Sequence, residues 1–316
     1  MPILANLEFD NNKQPLVSIC VLTYNHEKYI KEAIDSFLMQ NVNFKVEILI
    51  HDDASTDNTQ FILKEYDRNY PGLFKLLLQK ENQRSKFGGG MNPRFNFPRA
   101  QGKYIALCEG DDYWTDPLKL QKQMDFLENQ EDFSLICGGF YRNENMNLNK
   151  VILQGKTKFV GKDLNGFSFD LNQFDQWKTK SLTMMFRNYP NLHNQLLNYK
   201  YSRDVVLIYL LLKLGKGFYI QETLGVYNVH EGGVHSGAKQ IERLMFSVNC
   251  YRELYKKNGD NILRKILLRE ILALLNHKLY KSKCKTNDKL RLFIESLKLV
   301  RRFSDLKYFG FLMPIF

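Results

Sequence analysis

With 316 residues, 44% of them hydrophobic and 25% charged, the chain can bury a large core, falls outside the disordered class and is expected to form one large domain or two unequal ones. Its longest unbroken apolar run, Val205 to Leu212, is eight residues against the roughly 18 of a spanning helix. The net charge of +11 is concentrated: residues 241–316 hold 17 Lys plus Arg against 7 Asp plus Glu, which leaves +1 for the first 240 and gives them no reason to bind nucleic acid.

The amino-terminal stretch MPILANLEFDNN carries acids where a secretory leader needs a basic start, so a cytoplasmic chain is expected. Val17 to Tyr24 (VSICVLTY) is a short run rich in β-branched residues. Asn25 to Gln40 then repeats apolar residues at helical spacing through Tyr29, Ala33, Ile34, Phe37 and Leu38. The pattern recurs: Val46 to Ile50 reads as a strand, HDDASTDNT as a turn with capping residues, and Thr59 to Tyr70 as a helix. Phe74 to Gln79 predicts a third strand, Glu81 to Pro98 a loop rich in Gly and polar residues, and Tyr104 to Cys108 a fourth strand. Alternating strands and helices with continuously apolar strands predict an α/β fold with a mostly parallel sheet covered on both faces, and ligands in such sheets bind beyond the carboxyl ends of the strands.

Polar residues gather at those ends: Thr23, Tyr24 and Asn25 after the first strand, Asp52 and Asp53 after the second, Glu109, Gly110, Asp111 and Asp112 after the fourth. Carboxylates converging on one crevice need a cation to share it, and oxygen donors of this kind suit Mg²⁺ or Mn²⁺. The competing reading is a plain turn at Asp111 and Asp112, with Asp116 and Pro117 opening the next helix. Tyr113 and Trp114, bulky rings that fit poorly in a solvated turn, argue against it. The five scattered cysteines, Cys20, Cys108, Cys137, Cys250 and Cys284, form no CxxC pair and favour neither a disulfide framework nor structural zinc.

VSICVLTYNHEKYI, ILIHDDASTDNT and GKYIALCEGDDYWTDPLKL resemble, in order and spacing, the donor domain of glycosyltransferase family 2, the inverting enzymes of the GT-A fold. The three motifs span Val17 to Leu120, weaker likeness runs on to about Ser236, and the last 80 residues lie outside it. The resemblance implies a Rossmann-like sheet and transfer of a sugar from a nucleoside diphosphate sugar, UDP by family default, to a hydroxyl of a glycan or lipid-linked saccharide. Cell-surface polysaccharide assembly is the implied setting. Thr23, Tyr24 and Asn25, with Asp52 or Asp53, match positions that contact the nucleoside. Glu109-Gly110-Asp111 stands where the family has Asp-x-Asp, with Glu109 replacing the first acid and Asp111 as the implied ligand of Mn²⁺ or Mg²⁺.

In the predicted loop, Arg84, Lys86, Arg94 and Arg99 read either as a solvated surface or as diphosphate contacts, and Asn92 with Arg94 is singled out for the second role. An inverting transfer needs a general base. The family carries its base at a loop-to-helix junction, and Asp204, just before the apolar run Val205 to Leu214, is the candidate here, against the plain reading of a helix cap. Gly225 to Ser236 resembles the segment that brings a histidine to the metal. His230 is that residue, against a structural histidine, with His235 and Ser236 as weaker phosphate candidates. Asp112, Trp114 and Trp177 are assigned to the acceptor side, the ring of Trp177 reading equally as core.

The expected organisation is a GT-A domain over 1–240, with a nucleotide-sugar half near 15–120 and an acceptor half near 121–240, followed by a basic amphipathic helical region over 241–316. Helices are predicted over Asn261 to Tyr280 and Asp288 to Arg302. This region reads as a helical subdomain or a self-association surface, or as a peripheral contact with the inner face of a membrane. The rival to an enzyme is a non-catalytic nucleotide-sugar-binding or scaffold protein on a decayed transferase fold, and the retained Asp111 and Asp204 argue against decay.

Overall fold

The computed structural model describes residues 14–153, 164–176, 180–201, 204–230, 240–277, 286–301 and 305, with the side chains of 175 and 176 left aside. The chain divides into two compact units, one of Met1–Asn198 with Arg203–Val229, the other of Tyr199–Ser202 with His230–Phe316.

The first unit is built on one ten-stranded sheet in the order β3-β2-β1-β4-β9-β6-β10-β5, with β7 on β6 and β8 on β10. Strands β1 (Val17–Thr23), β2 (Val46–Asp52), β3 (Phe74–Leu78) and β4 (Tyr104–Glu109) pair in parallel, Val17 lying between Val46 and Tyr104. The short β9 (Met185–Arg187) runs antiparallel to both β4 and β6 (Phe133–Glu144), and β10 (Lys216–Val229) is parallel to β6. The six strands β1 to β4, β6 and β10 therefore all point one way, and their carboxyl ends share one edge. β5 (Tyr113–Trp114), β7 (Asn147–Val151) and β8 (Gly166–Phe169) are antiparallel additions.

The apolar runs form strands because both faces are covered. Every residue of β2 is buried, and α1 (Ile30–Leu38) buries Ile30, Ala33, Ile34, Phe37 and Leu38 in the same core as Val17, Ile19 and Val21. α2 (Thr59–Asn69) contributes Leu63, and α4 (Lys119–Asn129) contributes Leu120, Met124, Phe126 and Leu127. The segment predicted as a loop is folded into α3 (Gln83–Phe87), a π-turn over Asn92–Asn96 and a 3-10 turn over Phe97–Arg99. The Asn82 side chain accepts from Ser85 N to start α3, and Gly88 at φ 78° ends it in the left-handed region. After α5 (Leu192–Leu197), the longest apolar run of the sequence becomes α6 (Asp204–Leu214), in which Val206 to Leu212 are all buried. A helix that is apolar all round belongs inside a core.

The second unit contains α7 (Gln240–Asn258), α8 (Asn261–Asn276) and α9 (Thr286–Leu299). Leu267, Leu268, Ile271, Leu272 and Leu275 of α8 pack with Val248 and Leu299. A two-pronged Arg252–Glu295 pair links α7 to α9. Buried Arg264 donates to Asp305 and to the carbonyl of Leu299. Among the described residues no helix is long and apolar enough to cross a membrane.

Candidate active site

Two loops at the carboxyl edge are locked together by hydrogen bonds. Past β1, Asn25 takes φ 55°, a left-handed conformation that asparagine tolerates, and its amide donates to Ser55 Oγ while its side-chain oxygen accepts from Thr56 N. His26 N donates to Thr59 Oγ1, Glu27 N to Asp57, and Asn58 N to Glu27. Asp52 closes its own loop, accepting from Ser55 N, Ser55 Oγ and Gln60 Nε2. Asp53 accepts from Gln83 N and Arg84 N, so its carboxylate tethers the start of α3. Thr23 is buried, and Tyr24 is 45% exposed, an open ring at the tip of β1.

The acidic loop is clamped from beneath. Gly110 N donates to Leu22 O, and a Cβ on Gly110 would stand 2.9 Å from Thr23 Cβ and from Ile30 Cδ1, so the glycine serves close packing on β1 and α1. Asn228 of β10 donates from its amide to Asp112 Oδ1 (2.9 Å) and from its side chain to Asp111 O (2.7 Å), while Asn143 Nδ2 donates to Asn228 Oδ1. Asp111 is buried, with Oδ2 3.7 Å from His26 Nε2. Burial, then Asp111 and Glu109, push the Asp112 carboxyl well above the usual range, against the Asn228 amide that favours its charge. Glu109 stays open to solvent, yet the protein packed around it, and then Asp111 and Asp204, hold its carboxyl high as well, with Arg84 and Lys180 opposing.

Asp204 opens α6 and is exposed, and its charge is felt at Glu109 and at Lys180. Lys180 is half-buried, with Nζ 3.9 Å above the ring of Tyr227 and in the field of Asp204, Asp112 and Glu109. Burial lowers its pKa, and those three acids resist. Arg94 lies 4.2 Å over the Phe87 ring, with its Nε buried and without an acceptor among the described residues. Asn92 accepts from Asn96 Nδ2. Arg99 holds the carbonyls of Phe95 and Lys75 and the side chain of Asn96, a structural task, and Lys86 pairs with Glu81. The half-buried His230 is the next residue after Val229, at the head of the second unit.

The sequence profile of glycosyl transferase family 2 matches residues 18–190, more than half of the chain. The chain belongs to glycosyl transferase family 2. Within this family setting it is 47% identical over 121 residues to an uncharacterized protein of Mycobacterium tuberculosis, covering 38% of this chain and 34% of the relative. It is 32% identical over 158 residues to an uncharacterized glycosyltransferase of Methanocaldococcus jannaschii, covering 49% and 52%. The chain thus spans about half or less of the length of these relatives. Its fold is similar to that of S. aureus TarS 1-349 in complex with UDP-GlcNAc, with a TM-score of 0.61 at 20% identity over 90% of this chain and 81% of the other. It is also similar to the mannosyltransferase PcManGT from Pyrobaculum calidifontis in complex with GDP-Man and Mn²⁺, with a TM-score of 0.55 at 16% identity over 96% and 85%. These likenesses establish the GT-A, Rossmann-like architecture.

Against that family frame, two acceptor-side expectations need correction. Trp114 is 1% exposed, its ring 4.8 Å from Phe37 and its Nε1 donating to Leu182 O, so it has no face left for a sugar. Asp112 is buried beneath the loop and committed to the Asn228 amide. The bulky pair after the acidic motif marks a strand entering the core. Trp177, His235 and Ser236 lie outside the described residues.

Sequence reasoning passed over His26, Lys180 and Lys119. His26 carried a usable signal, a metal-competent side chain three residues past the end of β1, but the segment from Asn25 to Gln40 was read only for the apolar spacing of its helix. Lys180 carried none, because its role comes from a turn that pins Leu182 to Trp114 and Thr183 to Gln123.

Lys119 is fully buried below the loop, with Nζ donating to Gln123 Oε1 and lying 4.0 Å over the Trp114 ring. Burial lowers its pKa to about 7, against Cys108 and Asp116. An unfolded lysine titrates near ~10.4, so between these values the unfolded chain holds the extra proton and rising pH favours the fold. Below pH ~7 both states are charged and the folded chain bears the whole penalty. Lys119→Met is therefore expected to be more stable relative to the unaltered chain at pH 6 than at pH 10, the two differences separated by up to about 4 kcal/mol. Loss of the Gln123 partner costs about 1–3 kcal/mol at every pH and does not change that trend. Urea midpoints of both proteins across this range check it, and parallel curves would refute the buried-charge account.

Proposed function

We propose that the protein is a metal-dependent inverting glycosyltransferase that moves a sugar from a nucleoside diphosphate sugar to a hydroxyl of a glycan or lipid-linked saccharide in cell-surface polysaccharide assembly. The observation that carries this reading is the meeting, on one sheet edge of a family 2 fold, of the Asp111 loop and exposed Asp204. Support for the donor class comes from fold neighbours whose complexes hold UDP-GlcNAc and GDP-Man. UDP is the default nucleotide.

In this reading Tyr24 and the locked loops at Asn25 and Asp52 receive the nucleoside, while Arg94 and Asn92 face the diphosphate. The cluster fits a divalent cation: three carboxylates on four residues crowd one loop, and two of them are held towards their neutral forms when no cation shares their charge. Asp111, with His230 as a further candidate, would hold Mn²⁺ or Mg²⁺. When bound, such an ion neutralises the charge that develops on the departing nucleoside diphosphate. Asp204 accepts the proton of the acceptor hydroxyl while that oxygen bonds to the anomeric carbon and the bond to the diphosphate oxygen breaks on the opposite face. Lys180, in the field of Asp204, favours the ionised carboxylate that a base requires. The test is a melting-temperature screen of nucleoside diphosphate sugars with Mn²⁺ or with chelator, in which no metal-dependent stabilisation by any donor would defeat the reading.

The same reading places the chain at an anionic membrane surface. On α9, the exposed Leu290, Ile294 and Leu297 share one face with exposed Arg291 and Lys298, and exposed Arg301 follows just beyond the helix. The full chain is expected to float with vesicles containing phosphatidylglycerol and not with phosphatidylcholine alone. Absence from both floated fractions would remove the membrane contact.

A further inference from the structure

We infer that His26 is a ligand of the cation held by Asp111, and that this nitrogen donor makes the site prefer Mn²⁺ and the later transition ions to Mg²⁺. The inference rests on the metal-dependent reading above and adds to it a ligand that comes from the loop after β1 and lies outside the acidic motif.

The separation is the first argument. His26 Nε2 and Asp111 Oδ2 stand 3.7 Å apart. That is beyond the ~3.2 Å limit of a good hydrogen bond, so the two groups are not simply bonded to each other. Two donors each ~2.1 Å from one cation stand about 3.0 Å apart at a right angle, about 3.4 Å apart at a tetrahedral angle and about 4.2 Å apart when opposed. The observed gap falls inside that range. The side chains are only 12% and 11% exposed, so a cation between them would be partly withdrawn from water and would depend on its protein donors.

The second argument is charge. Glu109 and Asp112 already flank Asp111 on its loop, and Asp112 is occupied by Asn228. Another carboxylate would add repulsion to a crowded site, whereas a neutral imidazole adds a donor without adding negative charge.

The third is preorganisation. The main chain at His26 is fixed by the bond from its amide to Thr59 Oγ1, and its neighbours Asn25 and Glu27 are latched to the loop after β2. The ring also meets Tyr29 edge-on at 6.5 Å between centroids. An imidazole held this way loses little freedom on binding a metal. Its chemistry then selects the ion: Mg²⁺ favours an all-oxygen shell, while imidazole suits the transition metals, with Co²⁺ bound more tightly than Mn²⁺.

The test uses the full chain and Mn²⁺ itself. Binding is read from the loss of the free-ion electron paramagnetic resonance signal, with and without UDP, and imidazole ligation from nitrogen-14 modulation of the spin echo. His26→Ala is expected to weaken Mn²⁺ binding by about tenfold or more and to reduce the nitrogen modulation. Because His230 is a second imidazole candidate, the modulation is compared between variants. His26→Asp restores a donor, and its ratio of Mg²⁺ to Mn²⁺ affinity should rise above that of the unaltered chain, which guards against reading a folding defect as lost ligation. Unchanged Mn²⁺ affinity and modulation in His26→Ala would overturn the ligand assignment alone. Failure of the unaltered chain to bind Mn²⁺, alone or with UDP, would overturn the metal reading beneath it.

Discussion

Asp111→Asn is expected to abolish the metal-dependent part of donor binding and to lower sugar transfer by about a thousandfold or more. A cation on a transferring diphosphate is worth several kcal/mol of charge stabilisation, and each ~1.4 kcal/mol is a factor of ten in rate. The substitution keeps the shape of the side chain and removes its charge. It spares the clamp that shapes the loop, because Asn228 binds the main-chain oxygen of residue 111. Loss of function with an intact fold is therefore the expected outcome. In the melting screen, a donor at 100 times its dissociation constant stabilises the folded chain by about 2.7 kcal/mol, a rise of roughly 4 °C for a chain of this length. With Mn²⁺ the unaltered chain should show that rise, and with chelator a smaller one. Asp111→Asn should give the smaller rise under both conditions. A full Mn²⁺-dependent shift in the variant would mean that the ion is held elsewhere.

The two halves of the sheet were unequally legible in the sequence, for a physical reason. β1, β2, β3 and β4 are buried on both faces, so they appear as unbroken apolar runs, and α1 carries its apolar residues on one side. β9 has three residues and β5 two, too short for any periodicity, and both owe their place to pairing with β4, β6 and β10. α3 was hidden by its polar composition, QRSKF, with no residue buried. What makes it a helix is a side-chain cap from Asn82 and a tether from Asp53 more than 25 residues earlier in the chain.

The site follows the same rule. Residues at strand tips could be named because a parallel sheet puts those tips on one edge, which is how Thr23, Asp52 and Asp111 were reached. Which way a side chain turns at the tip could not be named. Asp53 faces α3, Asp112 faces Asn228, and Trp114 fills the core, each decided by a partner distant in sequence. Lys180 belongs with them, since only the fold brings it beside Tyr227 and Asp204.

Asp204→Asn is expected to keep donor and Mn²⁺ binding and to lower transfer by about 10²–10⁴-fold, the range for loss of a positioned general base. The acids at this edge differ in their fitness for that role. Asp112 is buried and bonded to the Asn228 amide, with its neutral form favoured, so it cannot reach an incoming hydroxyl. Glu109 is open to solvent, but its surroundings and the neighbouring charges also favour its neutral form. Asp204 is exposed in the first turn of α6, where the positive end of the helix favours an ionised carboxylate, and Lys180 adds a second positive field. Asparagine suits the start of a helix and should leave the fold intact, but it cannot take a proton. The check is release of nucleoside diphosphate from the donor chosen by the melting screen, with saccharide acceptors present, alongside the donor-induced shift. A normal shift with slow release fits a base, whereas loss of both would make Asp204 part of donor binding. Undiminished release by Asp204→Asn would send the search for the base back to Glu109.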